Sequence, residues 1–341
     1  MSQKHASLGH NLRQPENGDS SAFARILPLA ELDRLQSKLI LIWNLEKKPR
    51  ITTHDDLDGI ASASLMKEAL MKKNQLIGRI RFISPSDIEN GTIKITGIDI
   101  LIDIPYSPHC GAWFDHHESN KPANWVKFEG YYKVAPSAAR VIMEYFGPSL
   151  SHFEGLVKAV DKIDSGSLTV QDVKEGDPYQ RLAITLRHGG THNPAFKRMM
   201  VDLLRTESPE NIMRIPKVAL KYEQGLSELD AFSRNVVLHT NVINDVAVVD
   251  LRGTEAQNGL SSIPHTLFPD CLTFVRLSDS QNSQTEITVN YNQLLGNGPV
   301  DLGKMMEEYS GGGHFDKAGA TVPSEKADEV VKKILISLRG K

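Results

Sequence analysis

Ile51 to Ser62 reads ITTHDDLDGIAS and sets one imidazole and three carboxylates, His54, Asp55, Asp56 and Asp58, within five consecutive residues. Such groups repel one another unless a cation neutralises them or each turns to water. Taken alone, the stretch serves equally well as an acidic turn capping a helix, since Asp and Gly ahead of an apolar run are ordinary helix-start residues. Its flanks shift the balance. Leu39 to Trp43 (LILIW) is a continuous apolar run of the kind that forms a buried parallel strand, with Arg50 to Thr53 extending or following it. Ile60 to Met71 carries Ala, Ser, Leu and Met at helical spacing. The acidic cluster therefore lies where a strand hands over to a helix, the crevice in which open α/β sheets place their sites.

The same arrangement recurs downstream. Ile93 to Pro105 (IKITGIDILIDIP) contains a buried strand that ends in Asp103, with Asp99 four residues earlier. A carboxylate closing a run of Ile and Leu is costly to bury without a partner; the plainer alternative is a cap on the turn at Pro105 to Pro108. A third apolar run, Gly111 to Phe114, passes at once into Asp115, His116 and His117. Neighbouring histidines at a strand end project to different sides, so one can bind a metal while the other faces a substrate.

Other elements follow from periodicity and punctuation. Ala22 to Leu45 reads as a helix leading into the first strand and Arg79 to Ser84 as a short strand. Pro136 to Phe146 is a helix stopped by Gly147 and Pro148, and Phe153 to Ile163 is another, with Asp161 and Asp164 at its end. Either carboxylate also reads as an ordinary exposed one. Arg181 to Met200 is mixed, with a loop at His188 to Pro194. Ser208 to Arg234 is helical, broken once at Pro216, and connects two domains. Beyond it Val242 to Leu251, Leu272 to Leu277 and Glu286 to Tyr291 read as strands, Asp301 to Glu308 and Lys326 to Leu338 as helices. Between the last two lies SGGGHFDKAGA, Ser310 to Ala320. Gly311, Gly312 and Gly313 let backbone amides approach a ligand closely, in a concavity suited to phosphate, and His314 adds a donor. A plain linker would be Gly/Ser throughout, without the His and the Ala/Gly-rich continuation, which reads as helical.

Composition bounds the function. The chain has 341 residues, enough for about two domains. The boundaries expected are a flexible tail over 1–21, a metal-binding α/β domain with a parallel sheet over 22–207, a helical linker over 208–235 and a smaller α/β substrate domain over 236–341. A net charge of −3 with 24% charged residues argues against the wide basic face that long duplex DNA requires. The two cysteines, Cys110 and Cys271, are far apart and outside any CxxC, which disfavours a disulfide framework or thiolate zinc site. The polar N-terminus and the lack of a long apolar run predict a cytoplasmic protein without membrane contact. Oligomeric state is open, a homodimer included.

The candidate ligands are His54, Asp56, Asp58, Asp103, His116 and Asp161, all oxygen or imidazole, which suits Mn²⁺ or Mg²⁺. Four carboxylates exceed what one ion needs. Two ions roughly 3.5 to 4 Å apart, sharing one carboxylate, would activate water for attack on phosphorus, and Asp103 is central among the candidates.

Together HDDLDG at His54 to Gly59, the strand-end Asp103, DHH at Asp115 to His117, Asp161 and GGGH at Gly311 to His314 resemble the DHH phosphoesterase superfamily, over about Leu39 to Leu338. Its members include RecJ-type exonucleases, nano-RNases with pAp phosphatase activity, cyclic-dinucleotide phosphodiesterases, exopolyphosphatase-like proteins and family II pyrophosphatases. The resemblance implies a cleft between the two domains. There Asp56 and Asp58 would hold separate manganese ions, Asp103 would bridge, and His116 with Asp161 would complete the second site. His117 would contact the substrate phosphate and assist leaving-group protonation, Asp115 would orient a ligand, and the glycine loop with His314 would hold the far phosphate. The family pattern favours Asp161 over Asp164. The chain departs from the pattern twice. Many relatives carry the first histidine where this chain has Thr52, and His54 matches the HxDxDG subset. One group of nano-RNases has Ser-x-Arg ahead of GGGH, where this chain has Asn290-Tyr291-Asn292, making Asn292 the candidate phosphate donor without charge. The substrate expected is a short oligoribonucleotide or pAp, cut by a Mn²⁺-dependent phosphoesterase. Polyphosphate, a cyclic dinucleotide, or an inactive nucleotide-binding regulator are the alternatives.

Overall fold

The structure, a computed structural model, describes residues 48–120, 128–165, 176–187, 193–257, 259, 262–292 and 295–338. Strands β1 (Arg50–Thr53), β2 (Ile80–Phe82), β3 (Asp99–Ile102), β4 (Ala112–Asp115) and β5 (Gly130–Tyr132) form a parallel sheet in the order β2-β1-β3-β4-β5. Every residue of β3 and β4 is buried. Burial on both faces is why these strands read as continuous apolar runs and not as alternating ones.

Helices α1 (Leu57–Lys72), α2 (Pro85–Glu89), α3 (Ala138–Phe146), α4 (Glu154–Asp164), α5 (Pro178–Arg187), α6 (Pro194–Thr206), α7 (Pro209–Met213) and α8 (Pro216–Leu238) accompany this sheet. Helix α1 is buried on nearly every side, and its small residues Ala61, Ser62, Ala63 and Ser64 let neighbours approach. Around it Ile100, Ile102 and Phe114 from the sheet meet Val141 and Tyr145 of α3, Val157 of α4 and Phe196 of α6. The opposite face holds Leu101 and Trp113, with Trp113 stacked on Tyr132 at 5.2 Å.

The second sheet runs β10-β11-β9-β8-β7-β6, from β6 (Thr240–Ile243), β7 (Val246–Asp250), β8 (Thr273–Ser280), β9 (Gln284–Tyr291), β10 (Gly312–Gly313) and β11 (Lys317–Pro323). It is parallel between β7 and β8 and antiparallel elsewhere. Helices α9 (Ser262–Leu267), α10 (Leu302–Glu307) and α11 (Ala327–Leu338) complete this part. Val275, Ile287 and Val289 pack on Leu302 and Met306 of α10 and Ile334 of α11. The two sheets are joined through α8, whose Phe232 and Val236 pack with Val249 and Phe274, and Ile184 of α5 rests on the same cluster.

Two expectations are corrected. Val242 to Leu251 is not one strand but the β6–β7 hairpin, turned at Asn244 in the left-handed region (φ 58°) that Asn tolerates. The stretch after His314 is strand β11 and not a helix: Ala318, Ala320 and Val322 are buried at alternate positions. Helices α5 and α6 occupy much of the segment read as mixed, and β5 has no counterpart in the sequence reading. The tail, the Ala22 to Leu45 helix, the LILIW strand and most of the His188 to Pro194 loop lie outside the described residues. No described helix is long and apolar enough to cross a membrane.

Candidate functional site

Adjacent parallel strands present their carboxyl ends side by side. The chain thus leaves β1 at His54, β3 at Asp103 and β4 at His116 and His117 on one edge of the sheet, with β1, β3 and β4 as neighbours. Three groups of potential metal ligands result, each with its ligand atoms within 4.8 Å: His54, Asp56 and Asp103; Asp58, His116 and Asp164; and Asp103, Asp115, His116 and His117.

Asp103 sits among them, only 3% exposed. Its φ of 59° is one that Asp adopts more readily than most residues, and its amide donates to the Phe114 carbonyl at 3.0 Å. One carboxylate oxygen, Oδ2, lies 3.8 Å from His54 Nδ1; the other, Oδ1, lies 3.4 Å from His116 Nε2 and 3.7 Å from His117 Nδ1. Burial first, then Asp58, Asp56, Asp164 and Asp115, holds its carboxyl well above the usual range. Asp164 is likewise pushed up to about 8 by burial and by Asp58 and Asp56.

The other aspartates are fixed by backbone. Asp56 caps α1, accepting from the Gly59 amide at 3.0 Å, while its other oxygen lies 3.0 Å from His54 Nδ1. Burial would raise its carboxyl, but the His54 contact and the cap outweigh it and bring it to about 2. Asp58 accepts from the Ala138 and Ala139 amides at 2.6 and 2.9 Å, where the N-terminus of α3 favours an anion. Asp55, by contrast, pairs with Lys197.

His116 tests whether these residues suit a metal. Its Nδ1 lies 2.9 Å from the Ala135 carbonyl, which only accepts, so in the neutral ring that binds a metal Nδ1 carries the proton and Nε2 the lone pair. That Nε2 is buried without a hydrogen-bond partner, 3.4 Å from Asp103 Oδ1, 3.4 Å from Asp164 Oδ2 and 3.6 Å from Asp58 Oδ2. With these carboxyls ionised, a lone pair facing three carboxylate oxygens is repulsive, and a cation or protons on the carboxyls must offset it. The donor set fits a hard divalent ion. His117 is held differently: Asp115 Oδ1 lies 2.9 Å from its Nδ1, and Asn120 donates to Asp115 Oδ2 at 2.7 Å.

Two expected residues lie elsewhere. Asp161 accepts from Ser137 Oγ at 2.6 Å and from Arg140 through Nε at 2.9 Å and Nη2 at 2.5 Å. The carboxylate that α4 brings to the cluster is Asp164, one turn later. Asn292 is fully buried and donates to the Cys271 and Pro269 carbonyls at 3.1 and 3.3 Å, within its own domain. The strand amide that remains is Asn290, 2.7 Å from His265 Nε2.

In the glycine loop, a Cβ on Gly311 would meet the Gly319 carbonyl oxygen at 2.2 Å, and one on Gly313 the Lys317 oxygen at 2.4 Å. These two glycines are required by the close approach of β10 to β11. Gly312 faces open space, and Gly312, Gly313 and His314 are exposed. Basic residues near the cluster were not foreseen: Arg187 acts on Asp56, and Lys317 acts on Asp164.

No protein-family model matches the chain, and no curated protein does. Solved structures do. A pGpG-specific phosphodiesterase, PggH, from Vibrio cholerae aligns with a TM-score of 0.69 and 25% identity, over 86% of this chain and 99% of that one. The DHH domain of a member of a ribosomal-protein family aligns at 0.62 and 15%, over 92% and 93%. RecJ in complex with Mn²⁺ from Thermus thermophilus aligns at 0.60 and 13%, over 92% of this chain and 55% of that one. At 15% and 13% identity the last two establish fold alone. With Asp/His clusters able to hold metal at the carboxyl edge of its parallel sheet, the chain has a DHH-superfamily phosphoesterase fold.

Proposed function

We propose that this chain is a metal-dependent phosphoesterase that hydrolyses small phosphate-rich substrates, foremost short oligoribonucleotides of the dinucleotide size. The observation that carries this reading is the partnerless Nε2 of His116 facing Asp58, Asp103 and Asp164. The likeness to a pGpG-specific phosphodiesterase supports the substrate class.

His54, Asp56 and Asp103 would hold one Mn²⁺ or Mg²⁺, and Asp58, Asp103, His116 and Asp164 the other. Bound there, the ions supply a nucleophilic water and neutralise charge on the phosphoryl oxygens. The chain's own groups do the rest. The Ala135 carbonyl fixes the tautomer that leaves the His116 lone pair toward the cluster. Asp115 keeps the His117 proton on Nδ1. Burial opposes protonation of His117, yet the Asp115 hydrogen bond and charge outweigh it and raise its pKa, so the ring can hold a proton for the departing oxygen. His314 and the exposed Gly312 amide would meet the far end of the substrate.

The test is mononucleotide or phosphate release by Mn²⁺-loaded protein from di- to pentaribonucleotides, pAp, cyclic dinucleotides, pyrophosphate and polyphosphate. Mononucleotide from the shortest RNAs supports the reading. Release from polyphosphate or pyrophosphate alone keeps the metal centre and overturns the substrate.

A further inference from the structure

The residue between His54 and Asp56 belongs to none of the three ligand groups, yet a buried lysine holds it from the far side. Asp55 Oδ2 accepts from Lys197 Nζ on α6. The Lys197 side chain is 4% exposed and that of Asp55 42%. Lysine is almost never buried to this extent without a partner, and among the described residues Asp55 is the one acceptor and the one ion-pair partner of this ammonium. The other oxygen of the same carboxylate, Oδ1, lies 3.9 Å from His54 Nε2. The second nitrogen of that ring, Nδ1, lies 3.0 Å from Asp56 Oδ2 and 3.8 Å from Asp103 Oδ2. Lys197, Asp55 and His54 thus form a row that ends at the ligand group of His54, Asp56 and Asp103.

Lys197 stands on a fixed support. Helix α6 is tied to α1 by Ser64 Oγ, which donates to the Val201 carbonyl at 2.9 Å, by the pair of Lys67 and Asp202, and by Arg205, whose Nη1 lies 3.0 Å from Glu68 Oε2. Residues 64, 67 and 68 of α1 meet 201, 202 and 205 of α6 in ascending order, so the two helices run the same way. Lys197, one turn before Val201, therefore reaches the loop that precedes α1. A metal held by His54 Nδ1 leaves the ring proton on Nε2. A carboxylate facing that proton orients the ring of a metal-binding histidine and strengthens its basicity. At 3.9 Å there is no hydrogen bond, so Asp55 acts on the ring through its charge. Without Lys197, this half-buried carboxylate, next in the chain to two ligands, is free to turn to water or toward the ion.

We propose that Lys197 is a positioning residue, which holds the Asp55 carboxylate beside His54 Nε2 and thereby sets the affinity of the His54, Asp56 and Asp103 group for its divalent ion without touching that ion. The role rests on the phosphoesterase reading for the presence of two ions. It is confined to one of them, because the other group takes its support elsewhere: the Ala135 carbonyl faces His116 Nδ1, and the Ala138 and Ala139 amides hold Asp58. An ion pair that only joined α6 to the loop before α1 would affect both ions alike or neither.

The experiment titrates Mn²⁺ into metal-free protein by calorimetry, for wild type, Lys197→Met, Lys197→Arg, Asp55→Asn and the double variant Lys197→Met with Asp55→Asn, and measures turnover of a diribonucleotide alongside. Lys197→Met should weaken one ion by about 10- to 100-fold and leave the other unchanged. Removal of a cation acts by charge alone to tighten Mn²⁺ binding, so the direction of the change separates positioning from electrostatics. Lys197→Arg, which keeps a cation for Asp55, should retain most of the wild-type affinity, and the double variant should lose no more than Lys197→Met. If Lys197→Met does not fold, Asp55→Asn, altered at the exposed member of the pair, should show the same loss at one ion. Unchanged or tighter binding in Lys197→Met, unchanged binding in Asp55→Asn, or an equal loss at both ions in either variant overturns the proposal. Loss at one ion in a protein whose wild type hydrolyses no dinucleotide sustains it and defeats the phosphoesterase reading; hydrolysis by wild type with unchanged metal binding in Lys197→Met does the reverse.

Discussion

Asp115 Oδ1 lies 2.9 Å from His117 Nδ1 and also accepts from the His116 and His117 amides at 2.8 and 3.3 Å. One fully buried carboxylate therefore sets both the ring of His117 and the backbone that carries the two histidines off β4. A residue acting in this way contributes through orientation more than through contact with substrate.

Asp115→Asn keeps the size of the side chain and removes the charge that raises the His117 pKa. Turnover should fall by about 10- to 100-fold with KM little changed. Steady-state kinetics check this; an unaltered kcat would mean that His117 needs no such support.

The two carboxylates of α4 should separate cleanly. Asp164→Asn should weaken metal binding, because Asp164 Oδ2 lies 3.4 Å from His116 Nε2. Asp161→Asn should leave metal binding alone and cost about 1–3 kcal/mol of stability, as Arg140 and Ser137 lose a charged acceptor. Metal titration and denaturant unfolding on both variants give the comparison, and reversed outcomes would return the ligand role to Asp161.

Stability of the metal-free protein should depend on pH in a stated direction. Asp103 and Asp164 have raised carboxyl pKa values, Asp164 to about 8, so between their unfolded value near 4 and those higher values the folded state binds more protons. Stability then falls as pH rises. His54 and His117, also raised, add to the fall above their unfolded values, whereas Asp56, lowered to about 2, contributes fully throughout that window. The Tm of chelator-treated protein should drop between pH 5 and pH 8, and added Mn²⁺ should reverse the drop. A Tm rising over that range would contradict the crowding described here.

The strand ends were legible in the sequence because the chemistry is local: an apolar run followed at once by acids and imidazoles can be read residue by residue, as at Asp103 and at Asp115 to His117. Asp161 and Asp164 share one helix, one turn apart, and what separates them is Arg140 on another helix, which sequence spacing does not reveal. Spacing alone does not show where Asn292 points: β9 ends at Tyr291, and the next side chain donates to the Cys271 carbonyl. Arg276 and Lys317 are far apart in the chain, and only the antiparallel pairing of β8, β9 and β11 sets them on one face two strands apart. A signal for Lys317 existed in the period of two at Ala318, Ala320 and Val322, hidden by an Ala/Gly content that suggested helix.

The most direct measurement is mononucleotide release from a 5′-phosphorylated diribonucleotide by Mn²⁺-loaded wild type and Asp103→Asn, with bound manganese counted in each. Wild type should bind two ions and release mononucleotide. Asp103→Asn, whose carboxylate stands between both ligand groups, should lose bound metal and slow roughly a thousandfold, the loss of about 4 kcal/mol of transition-state stabilisation. Turnover in Asp103→Asn equal to that of wild type, or wild type that hydrolyses the dinucleotide with no metal bound, would contradict the account.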